Sequence, residues 1–162
     1  MSQAPQPHSY ESLEEAASVV IGKIVFAFSS FEFNLGLCLR SEVAAGNAEL
    51  VNPLVERLSF KHKLDALLEV VTLKHSADPA SIQAFKNWHR TMDAFRAKRN
   101  SFVHGRWGIQ NHAGKVVNVS PGMPSAEPQR EVAFTLEELQ AELSELRAVV
   151  KQFQTLREQW RK

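Results

Sequence analysis

The side chains best suited to chemistry in this chain lie in one six-residue segment, 99–104, which reads RNSFVH. It supplies a guanidinium at Arg99, an amide at Asn100 and an imidazole at His104. Histidine can take or give a proton near neutral pH, arginine can hold charge that develops on a phosphate, and asparagine can orient either group. In an ideal helix Asn100 and His104 share a face, whereas Arg99 and His104 diverge by about 140°. The segment therefore favours phosphate-ester chemistry, provided that the helix end bends or a second copy completes the site.

Arg99 stands where the hydrophobic pattern of its helix predicts an apolar residue. The apolar positions of that pattern are separated by steps of three and four residues and are Phe85, Trp88, Met92, Phe95 and Phe102. A guanidinium on the core side of a helix is costly unless it is paired. Glu32 is also a charge within an apolar helical face, so we predict that it forms a supporting ion pair with Arg99. Two roles stay open for Arg99, Asn100 and His104, namely a catalytic site or a structural polar network in which the histidine interacts favourably with the helix dipole.

The part of the chain around this segment is basic, although the chain as a whole has a net charge of only +1. The cationic residues between positions 79 and 108, which face one acidic residue, are Lys86, Arg90, Arg96, Lys98, Arg99 and Arg106. The net charge of the whole chain gives no case for nucleic acid or an anionic membrane, but this segment is basic where the chain as a whole is not. We predict that Arg96, Lys98 and Arg106 bind substrate, together with Lys61 from a basic cluster at the start of an earlier helix. For that cluster an ordinary solvated surface is the alternative.

Composition predicts an ordinary globular protein, and the motifs of common metal and cofactor sites are missing from the sequence. Hydrophobic residues make up 44% and charged residues 23% of the 162 positions. The single cysteine, Cys38, excludes a disulfide within the chain and favours a cytoplasmic location. The histidines lack the spacing of a zinc site, and phosphate-binding glycine loops, dinucleotide fingerprints and serine-hydrolase elbows are absent from the sequence. We therefore expect no metal and no cofactor.

The N-terminal half raises the question of a membrane. Residues 1–9 are polar and proline-containing, and they are expected to be a disordered lead rather than a signal peptide. The stretch 19–39 is the most hydrophobic of the chain, but it contains Lys23 and Glu32, and charges are costly inside a bilayer. We therefore predict a core helix and no membrane segment.

Local signals predict a mainly α fold. Helix starts are indicated by Ser12 with Glu15, by Ser59, by Asp78 with Pro79, and by Thr135 with Glu138. The third of these helices is expected to end at Gly105. Alternating apolar residues then predict a hairpin across the turn at 111–114 and a third short strand; they are Trp107, Ile109, Val117, Val119, Val132 and Phe134. The prediction is an up-down helical bundle of four to five helices in one domain, 10–162, with a small β-hairpin or meander insertion at about 106–134 before the last helix.

The segment Arg99 to His104 resembles the R-polar-xxx-H signature of the HEPN superfamily, whose members are small α-helical bundles found widely in prokaryotic toxin and defence systems. The order of elements is similar as well: a long first helix with a buried acid, a second helix, the signature at the end of the third, and an amphipathic last helix. The resemblance covers the chain from about Tyr10 to Trp160. It departs from the toxins paired with nucleotidyltransferase antitoxins, which have a tyrosine where this chain has Arg106. The hairpin is also an insertion that a minimal bundle does not need.

The resemblance implies a metal-independent endoribonuclease. His104 would be the acid/base at a ribose 2′-hydroxyl, Arg99 would stabilise the phosphate, and Asn100 would position the other two. It also implies a homodimer with two signatures facing one cleft, RNA as the substrate, and an antitoxin or other regulatory protein as a further partner. Because some superfamily members bind without cleaving, the alternative is a non-catalytic RNA- or protein-binding dimer.

Overall fold

The computed structural model describes residues 10–44, 46–123 and 128–160, and these are mainly helical with a small antiparallel sheet before the last helix. The predicted disordered lead, 1–9, lies outside the described residues. The elements are α1 Tyr10–Val43, α2 Asn52–Arg57, α3 Phe60–Lys74, α4 Pro79–His104, β1 Arg106–Gln110, β2 Lys115–Val119, β3 Glu131–Phe134 and α5 Leu136–Trp160. The mainly α class and the position of the predicted strands are confirmed.

Three helices start where their capping residues predicted. The Ser59 side chain accepts a hydrogen bond from a backbone N–H in the first turn of α3, at 3.3 Å. Asp78 accepts one in the same way at the start of α4, at 3.1 Å. At the start of α5 the Thr135 hydroxyl accepts from the Glu138 N–H at 3.1 Å, and the Glu138 carboxylate accepts from the Thr135 N–H at 2.7 Å. This reciprocal pair is a capping box, so local chemistry sets these three boundaries.

The first helix does not begin at its predicted capping residue, Ser12. It already includes Tyr10, so Ser12 lies inside α1 and the predicted capping box at Ser12 and Glu15 is wrong. By length and composition alone α1 is apolar enough to cross a membrane, a test that core helices of soluble proteins and signal sequences also pass. One face of α1 is buried within the protein and includes Leu13, Ala17, Val20, Ile24, Phe28, Phe31, Leu35, Cys38 and Leu39. Such a face is typical of a core helix.

Residue contacts divide the chain into two compact units, Met1–Phe26 with Lys98–Glu145, and Ala27–Ala97 with Leu146–Lys162. The first unit contains the sheet, in which β2 pairs antiparallel with both β1 and β3. Its aromatic cluster joins α4 to the sheet: the Phe102 ring lies 5.3 Å from that of Trp107 and 5.6 Å from that of Phe134, centroid to centroid. The sheet therefore packs against the end of α4 that carries the predicted site.

The second unit is built around Trp88, which is 1% exposed. Its ring lies 5.1 Å from that of Phe85 and 4.7 Å from that of Phe153, and its indole N–H donates to the Val149 carbonyl at 2.9 Å. An indole buried with its one donor satisfied contributes apolar burial without an unpaired polar group. The apolar pattern predicted along α4 is confirmed, since Phe85, Trp88, Met92, Phe95 and Phe102 are all buried.

Candidate functional site

The predicted catalytic residues lie in the last two turns of α4. Arg99 and Asn100 are half-buried, and Arg99 Nη1 donates to Asn100 Oδ1 at 3.1 Å. His104 is exposed at the final position of the helix. Because α4 stays α-helical through His104, the divergence of about 140° expected between Arg99 and His104 applies here. The structure thus orients the guanidinium against the amide and leaves the imidazole facing solvent.

Side chains of the sheet cap the C-terminal end of α4, where backbone carbonyls lack intrahelical partners. The Ser101 carbonyl accepts from the Gly105 N–H at 2.8 Å and from Asn118 Nδ2 at 3.2 Å. The Ser101 hydroxyl donates to Asn118 Oδ1 at 2.6 Å. The next carbonyl, that of Phe102, accepts from the Trp107 indole N–H at 2.9 Å. These bonds fix the last turn of α4 against β1 and β2, and with it the backbone of the candidate histidine.

Asn118 is the positioning residue that the sequence analysis missed. It is 2% exposed and is the one buried polar residue in the described part of the chain. Its place in β2 between two valines was the available signal, because an amide inside an apolar strand needs hydrogen-bond partners. The sequence did not show that those partners belong to the end of α4.

Gly105 directly follows the last residue of α4, as predicted. It is not among the described glycines with positive φ, which are Gly46, Gly114 and Gly122. A Cβ on Gly105 would lie 2.5 Å from the Ser101 carbonyl oxygen and 2.6 Å from Asn118 Nδ2. The position therefore requires glycine because helix and strand approach too closely for any side chain.

Replacing Gly105 with alanine should destabilise the protein by about 1–3 kcal/mol, the usual range for forcing atoms into a packed site. The measurement is the free energy of unfolding in urea. Gly108→Ala is the matched control, since no atom lies within 4 Å of its Cβ and little change is expected. Equal stability of the two variants would contradict the close approach of β2 to α4.

Two of the predicted substrate-binding cations lie in an ion-pair network between α3 and α4. Asp65 Oδ1 is 2.7 Å from Lys61 Nζ and 2.9 Å from His89 Nε2. Asp93 Oδ1 is 2.6 Å from Arg96 Nε, and its Oδ2 is 3.8 Å from Lys61 Nζ. Burial raises the pKa of Asp65, but hydrogen bonds from Lys61 and His89 outweigh it and bring that pKa below its ordinary value. The carboxylates offset much of the positive charge that Lys61 and Arg96 offer to a phosphate.

The other two predicted substrate-binding cations have different partners. Lys98 Nζ pairs with the carboxylate of Glu142 on α5. Arg106 is exposed at the start of β1, and its Nη2 donates to Oε1 of Gln129, which is a neutral amide. An amide orients a guanidinium without neutralising it. Among the four predicted cations, Arg106 is thus the best placed to attract a phosphate near the end of α4.

The supporting acid Glu32 has a near neighbour that the sequence analysis did not consider. Its Oε1 lies 3.5 Å from Lys63 Nζ on α3, and the Glu32 side chain is 31% exposed. A partly exposed pair of this length contributes little stability. The predicted pairing of Glu32 with Arg99 stays a prediction, because the two residues belong to different compact units.

No cluster of three or more histidine, cysteine, aspartate or glutamate side chains suited to a metal ion occurs in residues 10–44, 46–123 and 128–160. Comparisons with known proteins give no further guidance. No family model matches the chain, and no curated protein or solved structure matches it. A functional interpretation therefore depends on the motif, its geometry and its charge.

Proposed function

We propose that this chain is a metal-independent endoribonuclease of the HEPN type. The observation that supports the proposal most is the end of α4, where an exposed His104 follows a guanidinium and an amide that are hydrogen-bonded to each other. An exposed imidazole can exchange protons with a substrate, and a guanidinium can hold the charge of a phosphate in its transition state. Hydrogen bonds from Asn118 and Trp107 hold this turn in place, which reduces the entropy lost in ordering the site when RNA binds.

The proposed reaction is an internal transfer within RNA. His104 removes the proton of a ribose 2′-hydroxyl, and the 2′ oxygen attacks the adjacent phosphorus. The bond from phosphorus to the 5′ oxygen breaks, and the protonated His104 returns its proton to that oxygen, which leaves as a 5′-hydroxyl. The other product ends in a 2′,3′-cyclic phosphate. Arg99 holds the phosphate charge, Asn100 orients the Arg99 guanidinium, and Arg106 attracts the RNA backbone.

A homodimer solves the geometric difficulty in this mechanism. Arg99 and His104 of one copy point in different directions from α4, so we propose that the Arg99 of one copy acts with the His104 of the other in a shared cleft. Val103, which precedes the histidine, is an apolar side chain left 42% exposed. It is available for a contact between copies beside the two-fold axis.

The remaining parts of the proposal concern the setting of the enzyme. We propose an up-down bundle of helices in one cytoplasmic domain, with the sheet as its insertion and with an antitoxin or other regulatory protein as a partner.

The hydrogen bonds of Arg99 and Asn118 would serve a purely structural network equally well. That observation is the reason to keep a second candidate function, a non-catalytic dimer that binds RNA or protein.

The test is incubation of the purified protein with a defined RNA and with DNA of the same sequence, each with and without EDTA. RNA should be cut in all RNA samples, the products should carry 2′,3′-cyclic phosphate and 5′-hydroxyl ends, and the DNA should stay intact because it lacks the internal nucleophile. Loss of cleavage in EDTA, or products with 5′-phosphate ends, would overturn the mechanism. Intact RNA that is nevertheless bound would support the non-catalytic alternative.

A further inference from the structure

A cavity of about 370 Å³ lies in the first compact unit, between the early turns of α1 and the strand β1. It is lined by Tyr10, Glu14, Ala17, Ser18, Ile21, Gly22, Phe102, Trp107, Gly108, Ile109 and Val116. Its size is at the lower end of the range for small-molecule sites, about 300–1,000 Å³. The cavity therefore has room for one planar group of nucleobase size with some water.

The wall formed by β1 is suited to stacking. Trp107 lines the cavity, and its ring is held in place by contacts with Phe102 at 5.3 Å and with Phe134 at 6.0 Å. Its one hydrogen-bond donor is already used by the Phe102 carbonyl. An indole held in this way, with its donor already satisfied, is available for apolar and stacking contacts. Stacking of a base on an aromatic face contributes about 1–3 kcal/mol.

The lining residues from α1 include the polar groups that would select the base. Glu14 is the one charged side chain among the lining residues, and Ser18 adds a hydroxyl. A carboxylate accepts two parallel hydrogen bonds, and guanine presents two adjacent donors, N1–H and the N2 amino group. Adenine and cytosine place an acceptor nitrogen beside their amino groups, and uracil has carbonyls on both sides of its N–H. A carboxylate is repelled by those neighbouring acceptors, so Glu14 favours guanine.

The cavity is joined along the chain to the proposed catalytic turn. Two of its lining residues are close to His104 in sequence: Phe102 precedes it by two positions and Trp107 follows it by three. The acidic lining disfavours a phosphate inside the cavity. A nucleotide would thus place its base in the cavity and its ribose and phosphate toward the end of α4.

We propose that this cavity binds a guanine base of single-stranded RNA and that it selects the nucleotide at which the chain acts. The inference rests on the proposed ribonuclease function for its place in the reaction. Binding of the base, however, needs no catalysis and is measured separately.

The binding experiment uses fluorescently labelled 2′-O-methyl RNA tetranucleotides, which lack the free 2′-hydroxyl and are not cut, with one central G, A, C or U. Fluorescence anisotropy should show that the G oligonucleotide binds about tenfold or more tightly than the other three, since a bidentate pair discriminates by about 1–3 kcal/mol. Guanosine monophosphate is the second arm. If it binds as tightly as the G oligonucleotide, the ligand is a free nucleotide and the RNA proposal is overturned.

Matched variants locate the preference in the cavity. Glu14→Gln should lose the guanine preference, whereas Glu15→Gln should keep it, because both residues are exposed but only Glu14 lines the cavity. Gly22→Leu should also lose it by filling the cavity. A Cβ at this helical position meets no atom within 4 Å, so the variant should keep its fold, as checked by circular dichroism. Equal binding by Glu14→Gln and the unmodified protein would overturn the proposal.

Cleavage assays with ordinary RNA separate this inference from the function on which it rests. If the protein cuts RNA without a preference for guanine, the proposal of base selection is overturned while the proposed ribonuclease function is supported. Guanine-selective binding with no cutting of any RNA would support the pocket and overturn the catalytic proposal.

Discussion

Replacing His104 with alanine is expected to abolish RNA cleavage, by about 100- to 10,000-fold, while leaving the protein folded. General acid–base catalysis contributes a factor of that size, and no neighbouring histidine is available in the segment 99–107 to replace the imidazole. The side chain is exposed at the end of α4, so its loss removes little packing. The change in the free energy of unfolding should stay within about 0.5 kcal/mol, the usual limit for surface substitutions.

His112 provides the matched control for this experiment. It is also an exposed histidine in the first compact unit, but it lies in the turn between β1 and β2. His112→Ala should cleave RNA at the rate of the unmodified protein. If His104→Ala cleaves undiminished, the proposed mechanism is wrong, whatever the fold. If both variants lose activity together with their helical signal, the loss is structural.

The parts of the fold that the sequence predicted depend on contacts close along the chain. Ser59, Asp78 and Thr135 cap helices through hydrogen bonds to residues three positions away. The two short-range ion pairs, Lys61 with Asp65 and Arg96 with Asp93, also follow helical spacing. The spacing of these charges along a helix is therefore enough to indicate both pairs.

The parts that could not be predicted depend on which distant elements meet. Nothing near Asn118 indicates that its amide reaches Ser101, 17 residues earlier in the chain. The reason for Gly105 follows from the same approach of β2 to α4. The cavity likewise exists only because β1 lies beside the early turns of α1. Each of these features has a recognisable residue in the sequence, but its partner is set by the tertiary fold.

Arg99→Lys should reduce cleavage by about 100- to 1,000-fold, the range measured when one donor to a developing oxyanion is removed. Lysine keeps the positive charge, but its ammonium cannot hold a phosphate with two parallel N–H groups. It also loses the planar fork that donates to Asn100 Oδ1. Because charge is retained, RNA binding should change much less than the cleavage rate. Single-turnover kinetics at saturating protein separates the two.

The arrangement of the two catalytic groups predicts what happens when inactive variants are mixed. If Arg99 of one copy acts with His104 of the other, a dimer of Arg99→Ala and His104→Ala contains one intact site and one doubly altered site. Random exchange of two equal populations makes half of the dimers mixed, so activity should recover to about a quarter of that of the unmodified protein. If both groups act from the same copy, every site in the mixture lacks one of them.

Mixing the two inactive variants therefore tests whether each site is built from two copies of the chain. The two proteins are combined, given time to exchange subunits, and assayed beside each variant alone. The divergence of Arg99 and His104 on a helix that stays regular to its last residue is the reason to expect recovery. Cleavage that stays at the level of the separate variants, with exchange verified by labelled subunits, would show that the shared cleft is wrong and that one copy must bend the end of α4 to bring its own two groups together.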